Sequence, residues 1–217
     1  MIFKYGDKET EYLKKKDKRL GEAIDIIGHI ERSLYDDLFG AVIYTIVGQQ
    51  ISAAALETVW SRLRTMLGHV NAEAVNNADE ALLQSAGITF KKAGYMKNFT
   101  EKVLSGQLDL DSLSSKSDEE VIAELSALNG LGIWSAEMIM LFTMERGDIL
   151  SFGDLAIHRG LRMLYHHKSI DKSLFEKYRK RYSPYGSVAS LYLWAISAGA
   201  IPHMKDYAPI KKKVAKK

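Results

Sequence analysis

Apolar side chains recur every three or four residues along almost the whole chain, the spacing of helices that bury one face. Leu38, Val42, Ile43, Ile46 and Val47 share such a face, and Ala55, Leu56, Val59, Trp60, Leu63 and Leu67 continue in a second helix. Leu82, Leu83 and Ala86 predict a short third helix closed by Gly87; Ala93, Met96, Phe99 and Val103 predict a fourth stopped by Gly106. Asp118-Glu119-Glu120 opens a fifth with acids suited to a helix N-terminus, and Val121, Ile122, Leu125 and Leu128 form its inner face. The same spacing appears in Ile133, Ala136, Ile139, Met140 and Phe142, and again in Leu155, Ile157, Leu161 and Leu164. Two more helices are predicted over 174–181 and 188–197, and an early one from about Glu11 to Gly28. Strand-like alternation is scarce, and the prolines fall late, at Pro184, Pro202 and Pro209. The pattern predicts an all-α chain with short connections. Its longest polar interval, from Gly106 to Ser117, reads as a loop between lobes.

Composition narrows this further. A chain of 217 residues has room for one large domain or two small lobes, and 47% hydrophobic residues exclude global disorder. The net charge of +3 is only mildly basic, but the basic residues cluster in Lys14-Lys15-Lys16-Asp17-Lys18-Arg19, Lys91-Lys92, Arg179-Lys180-Arg181 and the tail Lys211 to Lys217. With no cysteine, disulfides, thiolate zinc sites, cysteine nucleophiles and cysteine-held iron–sulfur clusters are excluded. No apolar run reaches membrane-spanning length, and the opening Met1-Ile2-Phe3-Lys4-Tyr5-Gly6-Asp7 lacks a signal peptide's apolar core. The expectation is a soluble intracellular protein with no membrane partner, cytoplasmic beside the nucleoid or, in a eukaryote, nuclear.

The chemistry concentrates in Leu128-Asn129-Gly130-Leu131-Gly132-Ile133-Trp134-Ser135, followed by Asp154. Helix, glycine turn and helix leave peptide N–H groups at a helix N-terminus, where a phosphate can sit. Gly130 and Gly132 permit positive φ and close backbone approach. An ordinary helix-to-helix turn with a glycine C-cap uses the same residues. Asp154 falls at the first turn of an apolar helix, where acids are favoured whether or not they react. A carboxylate there can also stabilise a developing cation or activate water. His158, four residues on, shares its helix face and can contact phosphate or orient Asp154.

This arrangement resembles the helix-hairpin-helix, Gly/Pro-rich loop and aspartate (HhH-GPD) superfamily of DNA base-excision glycosylases. Three further segments resemble the superfamily in the same order: Val47-Gly48-Gln49-Gln50-Ile51-Ser52, Gly87-Ile88-Thr89-Phe90-Lys91-Lys92-Ala93, and Arg181 to Ser187 followed by Leu191-Tyr192-Leu193-Trp194. The resemblance implies two helical lobes with a cleft between them, one of about 36–130 and the other of about 1–35 with 131–217. It implies a monomer acting on double-stranded DNA that contains damaged bases, with Asp154 as the catalytic acid residue. Members that cleave the strand carry a lysine two residues after the second hairpin glycine; here that residue is Trp134, and no lysine follows until Lys168. The chain is thereby similar to the monofunctional alkylbase (3-methyladenine-DNA glycosylase II-like) branch.

In that branch Trp134 and Trp194 would hold the base, with Met138 beside them where some relatives have tyrosine. A purine alkylated at N3 or N7 is cationic, and an indole face attracts such a ring by roughly 0.5–2 kcal/mol. By resemblance Gln49 and Gln50 meet the DNA, and Gln50 takes the wedge position that fills the gap left by a flipped base. Phe90, aromatic at the tip of a glycine turn, is a second wedge, and Lys91 and Lys92 lie on the DNA face. Gly130, Gly132 and the Ser135 hydroxyl would hold phosphate. The backbone carbonyls of Ser126, Leu128 and Leu131 would hold a monovalent cation, Na+ or K+; no cofactor is otherwise implied, and an iron–sulfur cluster is excluded. Two other readings stay open: a glycosylase for hypoxanthine, uracil or an oxidised purine, and a non-catalytic DNA-binding protein.

Overall fold

The computed structural model describes residues 1–209, so the Lys211–Lys217 tail lies outside the described residues. The described residues form twelve α-helices and one 3-10 helix, with no β-strand among them. They fall into two compact units: Met1 with 33–145, and 2–32 with 146 onward. Among the described residues no helix is long and apolar enough to cross a membrane.

The chain opens with α1 (Asp7–Lys16) and α2 (Lys18–Ile27), where the apolar spacing predicts a single helix. Asp17 breaks it. Its backbone is extended at φ −146°, and its carboxylate accepts the Leu20 N–H at 3.0 Å, capping α2. The other carboxylate oxygen takes the Arg181 guanidinium at 2.5 Å. A buried acid needs such a partner, and this one is 164 residues away in the chain.

The first unit is built around α3 (Leu38–Gly48), which buries Phe39 through Ile43 together with Ile46 and Val47. Asp37 starts it by accepting the Gly40 N–H at 2.6 Å. Three helices pack on α3: α4 (Ala53–Leu67), α7 (Phe90–Leu104) and α9 (Ile133–Phe142). Phe39 and Phe99 stack at 5.0 Å between α3 and α7. Two short helices, α5 (Ala72–Asn77) and α6 (Glu80–Ser85), lie on α7. The apolar spacing misses α5, whose six residues bury only Val75; Asn71 caps it. A capping box of Ser117 and Glu120 opens α8 (Asp118–Ser126), which packs on α9.

Two boundaries differ from the sequence pattern. The interval 106–117 is not a loop between lobes: it lies within the first unit, turns through a 3-10 helix at Asp111–Ser115, and buries Leu108 and Leu113. The first unit also runs to Glu145 instead of ending near 130, because α9 is buried from Ser135 to Phe142 against α3 and α8.

In the second unit α10 (Leu155–Tyr165) and α12 (Gly186–Ser197) cross at backbone contact. A Cβ at Gly160 would stand 2.3 Å from the Leu193 carbonyl oxygen, so only glycine allows the crossing. α2 packs on both helices, and α11 (Lys172–Tyr182) packs on α12 and α1. α12 is buried without a break from Gly186 to Leu193, which explains why its pattern carries no polar face.

Candidate active site

In the first unit two turns meet at one groove. Beyond the end of α3 the chain turns through Gln49 and Gln50, and Gln50 stands at φ +56° with its side chain exposed. That left-handed conformation is uncommon for a residue with a side chain and is held by its surroundings. Lys92, on the first turn of α7, donates its ammonium protons to the Val47 and Gln49 carbonyls, each at 2.7 Å. Carbonyls at a helix C-terminus lack donors within the helix, and a cation suits the negative end of the dipole. Burial pushes the Lys92 ammonium below its ordinary value. Lys92 is expected on the DNA face beside Lys91; the structure turns its ammonium onto the end of α3. Lys91 is the exposed cation of the pair, 5.8 Å from the centroid of the Tyr95 ring.

Gln49 is also placed differently from the expectation. Its side-chain amide donates to the Gly130 carbonyl and so ties the turn to the hairpin. Gln50 is left exposed beside it. Phe90, the first residue of α7 after the Thr89 cap, is 68% exposed. The groove between these turns has a volume of about 390 Å³ and is lined by Gln49, Gln50, Ile51, Thr89, Lys91, Lys92, Tyr95 and Gly130.

The two hairpin glycines differ. Gly130 stands at φ +89°, and a Cβ there would meet the Tyr95 ring at 2.5 Å. Gly132 has an ordinary extended backbone, φ −115°, and a Cβ would find nothing within 4 Å. The expectation of positive φ at both positions holds for Gly130 alone. The Leu131 N–H closes the turn on the Leu128 carbonyl at 3.0 Å, and Asn129 ties it to Asn98 of α7 at 3.2 Å. Gly132 caps α9 with no side-chain hydrogen bond. Beyond it Ile133 is exposed and Trp134 is 47% exposed. Met138 lies one turn further along α9 and is buried, as is Ser135, so the residue expected to offer a hydroxyl to phosphate is covered. Apolar spacing put Ile133 and Leu155 on inner faces; each is the first residue of its helix and exposed.

In the second unit Asp154 is the N-cap of α10. Its Oδ1 accepts the Ala156 and Ile157 N–H groups at 2.8 and 2.9 Å, and the residue is only 7% exposed. The same carboxylate therefore ends a helix and is held at fixed orientation by two amides. The His158 ring is turned to other partners. Its Nε2 donates to the Phe152 carbonyl at 2.8 Å, and its ring stacks on Phe175 at 5.5 Å. Sequence pattern offers no sign of that stack, because Phe175 lies on α11. Trp194 sits half-buried on α12. Asp148 organises the segment 183–187, accepting from the Ser183 hydroxyl at 2.6 Å and the Gly186 N–H at 3.0 Å. The structure thus gathers Gln49, Gln50, Lys91, Lys92 and Gly130 at one groove, and Asp154 and Trp194 belong to the other unit.

A profile of the HhH-GPD superfamily of base excision DNA repair proteins matches residues 43–184. The chain is 26% identical over 168 residues to DNA-3-methyladenine glycosylase 1 of Schizosaccharomyces pombe, covering 75% of this chain and 72% of that protein. It is 25% identical over 200 residues to the DNA-3-methyladenine glycosylase of Saccharomyces cerevisiae, covering 75% and 68%. A solved structure of the DNA-3-methyladenine glycosidase of Bacillus halodurans superposes with a TM-score of 0.84 at 30% identity, covering 95% of this chain and 97% of that one. The S. pombe 3-methyladenine DNA glycosylase in complex with abasic DNA has the same fold, with a TM-score of 0.76 at 23% identity over 88% and 97% of the two chains.

Proposed function

The chain belongs to the HhH-GPD superfamily of base excision DNA repair proteins, and from that membership we propose that it is a monofunctional DNA glycosylase hydrolysing the N-glycosidic bond of alkylated purines, 3-methyladenine and 7-methylguanine among them. One observation carries the reading. The hairpin is followed by an exposed Trp134 where strand cleavage would need an amine, while Asp154 is held as a buried helix cap. The names of the relatives support the substrate class.

The chemistry needs little acid catalysis, because the alkylated base is already a cation. As the bond to C1′ breaks, its electron pair returns to the base, which leaves neutral. Positive charge passes to the sugar, where the Asp154 carboxylate stabilises it. Water then bonds to C1′, and its proton passes to Asp154 and on to solvent. The two amides fixing Oδ1 spare the carboxylate reorientation during the step. Trp134 and Trp194 are assigned to the faces of the cationic ring, and Met138, one turn along α9 from Trp134, to the same pocket. Gln50 is assigned to the gap in the duplex, Lys91 to phosphate, and the glycine-capped start of α9 to a second phosphate through its peptide N–H groups.

The hairpin also suits a monovalent cation. Ser126 ends α8, where helical donors run out and the dipole is negative, and Leu128 and Leu131 lie in the turn that follows. The Leu128 carbonyl accepts only one hydrogen bond in closing the turn and keeps a second lone pair. The carbonyls of Ser126, Leu128 and Leu131 would hold a Na+ or K+, which would supply positive charge favourable to a DNA phosphate. The protein is assigned to act as a monomer on double-stranded DNA, in the compartment that holds that DNA.

Incubation with globally methylated duplex, followed by mass identification of the released bases, tests the reading. Wild type should release 3-methyladenine, and Asp154→Asn should slow release by about a hundredfold or more. Undiminished release by Asp154→Asn, or release of an oxidised or deaminated base alone, would overturn it.

A further inference from the structure

Gln50 occupies a left-handed turn in the lining of the groove, φ +56° with its side chain exposed. Such a conformation is disfavoured for a residue bearing a Cβ and persists only where neighbours over-determine it. The contacts that do so come from outside the turn. An ammonium reaches the carbonyl three residues before Gln50 and the carbonyl of the residue just before it, both at 2.7 Å. The Gln49 side chain then binds the Gly130 carbonyl, at the point where Tyr95 of α7 lies against the Gly130 backbone. Wedge turn, α7 and hairpin therefore share one network, with the Lys92 ammonium at its centre.

We propose that Lys92 is a positioning residue: by gripping the Val47 and Gln49 carbonyls it sets the Gln50 turn and registers it on the hairpin that anchors DNA. The inference rests on the glycosylase reading for its consequence but assigns Lys92 a part different from that of its neighbour. Lys91 is a phosphate cation; Lys92 is a strut whose charge never meets the DNA. A compact ammonium with three donors on a flexible stem suits two converging carbonyls. The lowered proton affinity of this amine agrees with its removal from solvent.

Three readouts on the full chain test this. The first is the fluorescence of 2-aminopurine placed opposite an abasic site in duplex DNA, which reports what fills the gap. Lys92→Met should match Gln50→Ala; a signal matching wild type overturns the proposal, whether or not any base is ever released. The second is the salt dependence of the dissociation constant on the same duplex. Loss of a phosphate contact lowers the slope of log Kd against log salt by about 1, so Lys91→Met should show that drop and Lys92→Met should not. A drop with Lys92→Met makes it a phosphate ligand and overturns the proposal. The third is release of 7-methylguanine from methylated DNA as duplex and as single strands. Lys92→Met should slow the duplex reaction by about tenfold or more while sparing the single strand, which has no gap to fill. Equal loss on both forms marks a general prop of the fold and also overturns it. If Lys92→Met gives no cooperative melting transition, Lys92→Gln, which keeps an uncharged amide donor, is read in the same three ways. Absence of base release by wild type would sink the glycosylase reading and leave the first two readouts to decide this one.

Discussion

At the hairpin two glycines one residue apart answer to different constraints. Gly130 is required by its positive φ and by the Tyr95 ring against its backbone. Gly132 is required by nothing inside the protein, since its backbone is extended and the space around it is open. Gly130→Ala should therefore destabilise the fold by about 2–3 kcal/mol, read as a fall in Tm. Gly132→Ala should cost no more than about 1 kcal/mol in stability. If a phosphate approaches that helix start, it should nonetheless weaken duplex binding by about tenfold, measured as Kd. Asp154 separates in a similar way. Asparagine caps a helix about as well as aspartate, so Asp154→Asn should melt close to wild type while losing activity, whereas Asp154→Ala should lose about 1 kcal/mol of stability as well. Sequence alone identifies both glycines and the acid. It cannot tell which glycine is crowded, because the crowding ring belongs to residue 95.

Among the elements, several ends are closed by side chains from elsewhere. α7 supplies two lysines for this purpose: Lys92 on the end of α3, and Lys97 on the Asn76 and Ala78 carbonyls at the end of α5. On α10, Arg162 grips Asp206 through two parallel hydrogen bonds, Nε to Oδ1 at 2.8 Å and Nη2 to Oδ2 at 2.7 Å, fastening the segment after α12. The Arg162 guanidinium holds the Asp206 carboxyl below the usual carboxylate range. Because the folded value is the lower one, this pair stabilises the fold above the unfolded carboxyl's pKa, and the contribution is lost as pH falls through the folded value. Asp206→Asn should thus lower Tm by about 2–4 °C near neutrality, and the gap to wild type should close in acid. The helices themselves were legible from spacing, capping residues and stop glycines. The break at Asp17 was not, because Lys16-Asp17-Lys18 carries neither proline nor glycine and the acid's partner is Arg181.

For the molecule as a whole, the reaction type hangs on one substitution in a shared frame. With Trp134 after the hairpin, the protein should leave abasic duplex unbroken through long incubation, with scission only on later alkali treatment. Borohydride should trap no covalent complex, since no amine stands there to form a Schiff base; a trapped complex would mean another lysine serves. The sequence by itself determined the helical class, the ordered motifs that carry the family, the start of α10 at Asp154 and the exclusion of any cysteine-held group. Each of these is written in neighbouring residues, as periodicity, cap chemistry or composition. Tertiary structure alone decided that α9 joins the first unit, that Lys92 braces α3 while Lys91 stays in solvent, and that Gln49 turns to the hairpin while Gln50 stays exposed. Those outcomes depend on contacts spanning 45 and 81 residues, and a side chain's partner at that distance is set by how the helices pack, not by the residues beside it.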